Sequence, residues 1–166
     1  MNPYAVAAIL VGVAAAQTAI APHLAILGVR PNLPLLVVTA WGLLRGSGEG
    51  IWWGLGAGLA LDLFAGVPLG MFATGLTLAG LAAGLGERLV FRTHFLLPAL
   101  TVAANTLVAN LAALGVMKVL DWPVRFGAVL TNAVLPEMAY NVVGILLVFP
   151  VMAWINRRME DRSIEL

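Results

Sequence analysis

Long apolar runs separated by short polar breaks make up most of the 166-residue chain. The runs lie near residues 4–21, 31–45, 51–65, 69–87, 96–118 and 136–155. Most are long and apolar enough to be typical of helices that cross a bilayer. The pattern therefore predicts an all-α integral membrane protein, a bundle of six transmembrane helices that forms one domain over residues 1–166.

The second and third runs are short. The most apolar part of the second, residues 33–44, has 12 residues and would make a helix about 18 Å long, whereas the hydrocarbon core is about 30 Å thick. The polar segment RGSGEG, residues 45–50, separates it from the third run and predicts a loop. The alternative to six spans is therefore four spans plus a re-entrant short pair.

The first and last runs need separate interpretation. Residues 19–21, Ala-Ile-Ala, imitate a signal-peptide cleavage site, but no basic segment precedes the apolar run, so we expect a retained first span. The last run is too long for one straight helix. Pro136 suits a first helical turn, which predicts a span over 136–155 and a separate juxtamembrane helix over 126–135 on the outer face.

The distribution of Lys and Arg predicts the orientation. With the N-terminus inside, the inner segments hold six basic residues and the outer loops hold three. The inner residues are Arg45, Arg88, Arg92, Arg157, Arg158 and Arg162, and the outer ones are Arg30, Lys118 and Arg125. We therefore expect both termini in the cytoplasm.

Composition supports the membrane assignment and excludes several kinds of function. The chain is 61% hydrophobic and 10% charged, too little polar surface to cover a soluble domain. A net charge of +1 and the lack of a basic stripe argue against nucleic acid as a partner. With no cysteine and two distant histidines, His23 and His94, no metal or cofactor site is expected.

Two carboxylates lie within the predicted spans, Asp62 and Glu137. Intramembrane ionisable groups are usually paired and face the bundle interior. The topology places Arg30 on the same side as both, so Asp62 is interpreted as an anchor for Arg30 or for free backbone N–H groups of the following turn. Glu137 fits a helix N-terminus. Catalysis and ligand binding are the alternatives for Asp62.

Amide side chains form a second polar set in the last two spans. Asn105 and Asn110 follow Thr101 and Thr106 by four residues and so share helix faces with them, and Asn132 and Asn141 lie near or in the final span. Such amides are typical interhelical hydrogen-bonding groups. A ligand pocket is the alternative interpretation.

Glycine spacing indicates close helix packing. The pairs Gly54 and Gly58, Gly66 and Gly70, and Gly80 and Gly84 are each four residues apart, and Pro68 lies within the middle pair. Small residues at this spacing let helix backbones approach, within one chain or between copies, so self-association is also allowed. Residues 66–70 predict a turn that returns the chain to the membrane.

No catalytic constellation is visible. The two serines, Ser47 and Ser163, have no histidine nearby in sequence, and nothing brings a histidine to the carboxylates. We therefore do not expect an enzyme.

Several short motifs resemble the rod shape-determining protein MreD family. They are Pro31-Asn32-Leu33, Arg45-Gly46 through Gly50, Gly58-Leu59 through Asp62-Leu63, and Pro68-Leu69-Gly70, followed by Pro136, Asn141 and Pro150 in order. The likeness covers residues 28–86 and 135–158. Asn32 stands where the family usually has Asp, which removes a negative charge near Arg30 and keeps the ability to cap a helix.

The resemblance implies a non-enzymatic, multi-pass scaffold of the elongasome in the bacterial cytoplasmic (inner) membrane, where the elongasome guides peptidoglycan synthesis. It implies MreC, a single-span protein, as the direct partner, with MreB, RodA and a penicillin-binding transpeptidase connected indirectly. The polar and small residues would then fix the bundle and a partner-docking face. The alternative function is a substrate-binding subunit of an energy-coupling-factor-type vitamin transporter, although its short outer loops offer little to cover a ligand.

Overall fold

The computed structural model describes residues 3–26, 28–86, 96–122 and 126–161, and is entirely helical apart from turns and one isolated bridge. Its long helices are α1 (Pro3–Ala19), α2 (Leu33–Ala65), α3 (Met71–Leu85), α4 (Leu96–Val119) and α5 (Leu135–Asp161). A short 3₁₀ helix, Ala21–Leu24, follows α1. Arg88, Arg92, Arg125 and Arg162, four of the residues that predict orientation, lie outside the described residues.

Helix α2 is two helical segments joined by a sharp reversal at Gly46. This residue has φ 85° and ψ 176°, a conformation open to glycine and costly for other residues. The rings of Trp41 and Trp53 stack with centroids 4.3 Å apart, whereas twelve residues of straight helix would separate them by about 18 Å. Residues 47–65 therefore run back along residues 33–45.

The reversal is tighter than the sequence predicts. A loop was expected over 45–50, but helical backbone resumes at residue 47 and only Gly46 leaves the helical conformation. The reason is that glycine lets one residue redirect the chain, so the polar residues after it, Ser47 and Glu49, are already part of the returning helix.

Residues 47–65 pack against α3 with almost no side chain between the two backbones. A Cβ added at Gly54 or Gly58 would collide with the backbone of Leu76 or Ala73, and one added at Gly80 would collide with the backbone of Gly50. Gly84 meets Ser47 in the same way. Residues 47–65 and α3 thus form a tight antiparallel pair, and we call the contact along their facing glycines the glycine seam.

The glycine seam is longer than the sequence pairs indicate. Gly42 and Gly50 also face the backbone of Gly80, and Gly75 faces the backbone of Ala109 in α4. The signal was present, because glycine occurs at every fourth position from 42 to 58. The polar residues around Gly46 and Gly50 hide it by reading as a loop.

The other helices alternate in direction. Gly75 of α3 lies beside Ala109 of α4, and the Asn105 amide donates to the Ala79 carbonyl oxygen, so these helices are antiparallel. On α4 and α5, Asn110 contacts Glu137 and Thr106 contacts Asn141, again in antiparallel order. Helix α1 ends beside the start of α2, where Gln17 accepts from the Leu33 N–H. In the part of the chain that the structure describes, six long helical segments, counting α2 as two, are therefore each antiparallel to the next.

The final helix has an unusual beginning. A helical turn, Phe126–Val129, continues into a π-helical stretch, Leu130–Val134, and then into α5. The sequence predicts a separate helix over 126–135 and a span that starts at Pro136, and the structure has Pro136 in the first turn of α5.

The core and the outer surface are both apolar. Residues 34–43 of α2 are all buried and form the centre of the bundle, where Trp41 and Leu35 are 0% exposed. Two helical stretches, Leu96–Val119 and Thr131–Arg158, are long and apolar enough to cross a membrane, and only 22% and 17% of their most apolar windows are buried. Outward-facing apolar helices of this kind are what a bilayer accommodates.

The glycine seam makes a direct prediction about stability. Substituting Gly80→Ala puts a methyl group against the Gly50 backbone, which cannot yield as a flexible side chain would, and should destabilise the protein by about 1–3 kcal/mol. Gly115→Ala is the matched control, because nothing lies within 4 Å of the added carbon, and it should be neutral or stabilising by up to about 1 kcal/mol. Thermal unfolding of the purified protein measures both. Equal midpoints for the two variants would contradict the seam.

Candidate functional site

Polar side chains from four helices meet at the end of the bundle where α1 ends and α2 and α5 begin. The centre is Glu137, in the first turn of α5. Its carboxylate accepts hydrogen bonds from the side-chain amides of Asn32 (3.1 Å), Asn110 (3.0 Å) and Asn141 (3.5 Å). We call these four residues the outer polar cluster, because the sequence predicts that this end of the bundle is the outer one. Glu137 is thus bound by side chains of other helical segments as well as its own.

Asn32 connects the cluster to the start of α2. Its side-chain oxygen accepts from the Leu35 N–H at 3.2 Å and so caps the helix as the sequence predicts. Its backbone N–H donates to the Asn141 oxygen at 2.9 Å. An aspartate here would place a second carboxylate beside Glu137, so the amide found in this chain suits its surroundings, because it can donate to that group.

Asn141 extends the cluster into the core. It is fully buried, and its amide donates to the Thr106 hydroxyl at 3.1 Å. Asn110 also donates to the Thr106 backbone oxygen, four residues earlier on α4. Two helices that would otherwise meet through apolar contacts are therefore held in one register.

A cavity of about 340 Å³ opens beside the cluster. Its polar lining comprises Gln17, Arg30, Asn32, Asn110, Asn132 and Glu137. Gln17 is held in place at the rim, since its amide donates to the Pro31 carbonyl oxygen at 3.0 Å and its oxygen accepts from Leu33. Asn132 belongs to the set of amides that the sequence indicates, whereas Gln17 was missed, because a single glutamine near a helix end carries no distinctive spacing.

Asp62 occupies a separate position, at the turn between α2 and α3. It is 0% exposed, and its carboxylate accepts hydrogen bonds from the backbone N–H groups of Gly70 (2.8 Å), Phe72 (2.7 Å) and Ala73 (3.4 Å). These are the free N–H groups at the start of α3, where the helix dipole also favours a negative charge. Asp62 therefore closes the turn.

The interpretation of Asp62 as an anchor for Arg30 is wrong, and the alternative with backbone N–H groups is confirmed. Arg30 is exposed and lines the cavity instead, and no ion pair joins it to Asp62 within the described part of the chain. The physical reason is that three N–H donors already satisfy the carboxylate at short range. Asp62 still contributes to the cavity wall, because it fixes Phe72, which lines it.

The turn itself uses the predicted glycines. Gly66 and Gly70 have φ 64° and 100°, and Pro68 lies between them. These left-handed conformations end α2 and begin α3 within five residues.

Asn105 lies deep in the bundle, away from the cavity. It is 1% exposed, and its amide donates to the Thr39 hydroxyl and to the Ala79 carbonyl oxygen, both at 3.0 Å. It thus connects α4 to the first segment of α2 and to α3. Thr39, also fully buried, was missed from the sequence, because a single threonine in an apolar run gives no signal.

The opposite end of the bundle has its own contacts. The Arg45 guanidinium donates to the Asn156 oxygen and lies 5.7 Å from the Trp41 ring centre. The Trp41 indole donates to Glu49 across the reversal at 2.8 Å. The motif containing Arg45 and Gly46 therefore holds the two segments of α2 to each other and to α5 at this end of the bundle.

The polar groups of this arrangement hold helical segments together. No group of three or more metal-ligating side chains occurs among the described residues. Every carboxylate discussed above is engaged with N–H donors. The cavity, with Glu137 and Arg30 in its lining, is open to an outside molecule.

The position of Asp62 predicts its sensitivity to substitution. Asp62→Asn leaves one acceptor oxygen and turns an NH₂ group toward the start of α3, where only donors face it, so stability should fall by about 1–3 kcal/mol. Asp121→Asn is the control, since Asp121 is exposed and its φ of 54° suits asparagine. Thermal unfolding and the yield of monodisperse protein report the result. A stable Asp62→Asn protein would show that the turn does not need this carboxylate.

Comparison with known proteins agrees with the motifs. A family model described as rod shape-determining protein MreD matches residues 1–158. Neither the curated proteins nor the solved structures include a significant match to the chain. The family is one of bacterial membrane proteins that determine cell shape and is not a known enzyme family. Since the match covers nearly all of the helical bundle, including the outer polar cluster and the glycine seam, the chain belongs to the MreD family of rod shape-determining proteins.

Proposed function

We propose that this protein is a non-enzymatic scaffold of the cell-elongation machinery in the bacterial inner membrane, and that it binds a single-span partner of the MreC type. The observation that carries the proposal is the family match over residues 1–158, which implies a role in rod shape determination. The internal structure is consistent with a scaffold, because its polar groups are used to hold helices to each other.

The proposed topology is six spans with both termini in the cytoplasm. Its support is the alternating direction of the helical segments together with the excess of basic residues on the inner side. In this orientation the cavity and the outer polar cluster face the outside, and the contact between Arg45 and Asn156 lies at the cytoplasmic end. The first segment of α2, fully surrounded by other helices, can be shorter than the bilayer because no lipid contacts it.

The outer faces offer apolar surfaces to a partner helix. Helix α5 exposes Val143, Leu147, Val151 and Trp154, which lie on one side of the helix at spacings of three and four. Helix α1 exposes Ala8 and Gly12, whose small size permits close approach of another helix. MreB, RodA and a penicillin-binding transpeptidase would be reached through the MreC-type partner. Nothing in the family match supports the vitamin-transporter alternative.

Co-purification tests the proposal. The full chain, isolated in mild detergent from cells that also express an MreC-type protein, should retain that protein in a stoichiometric complex. Mass spectrometry of the eluted proteins and small molecules measures this. A stoichiometric vitamin with no MreC-type partner would reject the scaffold in favour of substrate binding.

Disulfide crosslinking sharpens the same test, because the chain contains no cysteine of its own. Single cysteines at Val143, Leu147 and Val151 on α5, and at Ala8 and Gly12 on α1, are paired with cysteines along the partner's span. We expect crosslinks on one helix face at every third or fourth position. A cysteine at Ile145, which is 0% exposed, is the negative control. Crosslinks at none of the exposed positions would contradict docking through α1 or α5.

A further inference from the structure

The cavity beside the outer polar cluster contains one positive and one negative side chain that do not pair with each other. Arg30 is exposed at its edge, and Glu137 is half-buried, with its carboxylate fixed by amide N–H groups. No ion pair joins the two within the part of the chain that the structure describes. The lining is thus neutral overall but carries separated charges.

Separated charges select a ligand with the complementary distribution. A simple anion would be attracted by Arg30 and repelled by Glu137, and a simple cation would meet the reverse. A zwitterion satisfies both, with its anionic group on the guanidinium and its cationic group on the carboxylate. Arginine binds phosphate oxygens with paired N–H donors, and an ammonium group can donate to Glu137 and to neighbouring amide oxygens.

The wall of the cavity has an irregular backbone. Asn132 and Ala133 belong to the π-helical stretch Leu130–Val134, and both line the cavity. π-Helical turns are rare and are frequently found at functional sites. On the other side of the cavity, Gly28 has φ 82° and lies between Ile26 and Val29, whose bridge shapes the edge of the opening. The opening is therefore built from two non-standard segments, where continuous helices would have closed it.

Size and surroundings favour a lipid headgroup. A volume of about 340 Å³ lies at the lower end of small-ligand pockets and suits a headgroup of about ten non-hydrogen atoms. Large apolar side chains close in sequence to lining residues are exposed: Leu24 is 45%, Ile26 62% and Leu135 53% exposed. They would contact acyl chains if the headgroup entered the cavity from the membrane.

We propose that this cavity binds a zwitterionic aminophosphate headgroup, as carried by phosphatidylethanolamine, with the phosphate on Arg30 and the ammonium group on Glu137. Soluble glycerophosphoethanolamine has the same chemistry without the acyl chains. The lipid form is the one we expect to bind more tightly, because of the exposed apolar residues at the mouth.

Lipids with matched chains provide the test. The full-length protein is reconstituted or titrated with phosphatidylethanolamine, phosphatidylcholine or phosphatidylglycerol, and bound lipid is counted by native mass spectrometry. We expect one retained phosphatidylethanolamine and an affinity for it at least about tenfold above that for phosphatidylcholine, whose methylated ammonium cannot donate to Glu137. Competition by glycerophosphoethanolamine at the same concentration would assign the site to the soluble form.

Variants connect the binding to the named residues. Arg30→Gln should weaken phosphatidylethanolamine binding about tenfold, whereas Arg157→Gln, the same charge change at the opposite end of α5, should leave it unchanged. Glu137→Gln should abolish the preference over phosphatidylcholine. Asn132→Ala changes a further residue of the cavity wall. Because Asn132 is exposed, this substitution should leave the core undisturbed.

Three results would overturn the proposal. One is equal binding of all three lipids, and another is a preference for the anionic phosphatidylglycerol. The third is wild-type lipid binding by Arg30→Gln together with loss of a co-purified partner protein. That last result would assign the cavity to a basic or acidic segment of the partner.

Discussion

Direct contact between helix backbones is the constraint on which the rest of this structure depends. Residues 47–65 and α3 approach so closely that glycines on each side meet the opposing main chain. In a bilayer the hydrophobic effect does not drive helices together, so packing of this kind has to supply much of the association energy. The seam brings three chain segments, the two halves of α2 and α3, into one compact unit against which the other helices pack.

The reversal at Gly46 and the turn at residues 66–70 are the two ends of that unit. Each needs a backbone conformation that glycine adopts readily, and each is fastened by side chains. At one end Arg45 is bound by Asn156, and at the other Asp62 holds the N–H groups that begin α3. Charged and amide groups inside this bundle therefore join helix ends through hydrogen bonds. These hydrogen bonds offset the few kcal/mol that an intramembrane charge costs.

The same arrangement would allow the proposed scaffold and the proposed binding site to share one bundle. The outer polar cluster holds α2, α4 and α5 together through Glu137 and its amide partners. Because the cluster lies beside a cavity, a group bound there would contact residues that set helix register. Occupancy of the cavity and the shape of the partner-facing helices would then depend on each other.

Much of the architecture could be predicted from the sequence. Apolar runs and their breaks indicated the helices, glycine spacing indicated close packing, and an ionisable residue in an apolar run drew attention to Asp62 and Glu137. The partners of Glu137 could not be predicted, because it is bound by Asn32 from 105 residues away and spacing rules reach only one helix. The single-residue reversal was hidden for a different reason: the polar segment around Gly46 looks like a loop.

Membrane topology tests this structure most directly, because the reversal at Gly46 fixes the side of the membrane on which every later segment emerges. Single cysteines in this cysteine-free chain at Leu24, Leu69, Leu120, Gly48 and Arg157 can be labelled with a membrane-impermeant thiol reagent on intact cells. We predict labelling at Leu24, Leu69 and Leu120 from outside, and at Gly48 and Arg157 only after the membrane is permeabilised. Labelling of Leu24 and Leu69 from opposite sides would show that α2 crosses the membrane once, and would contradict the reversal at Gly46.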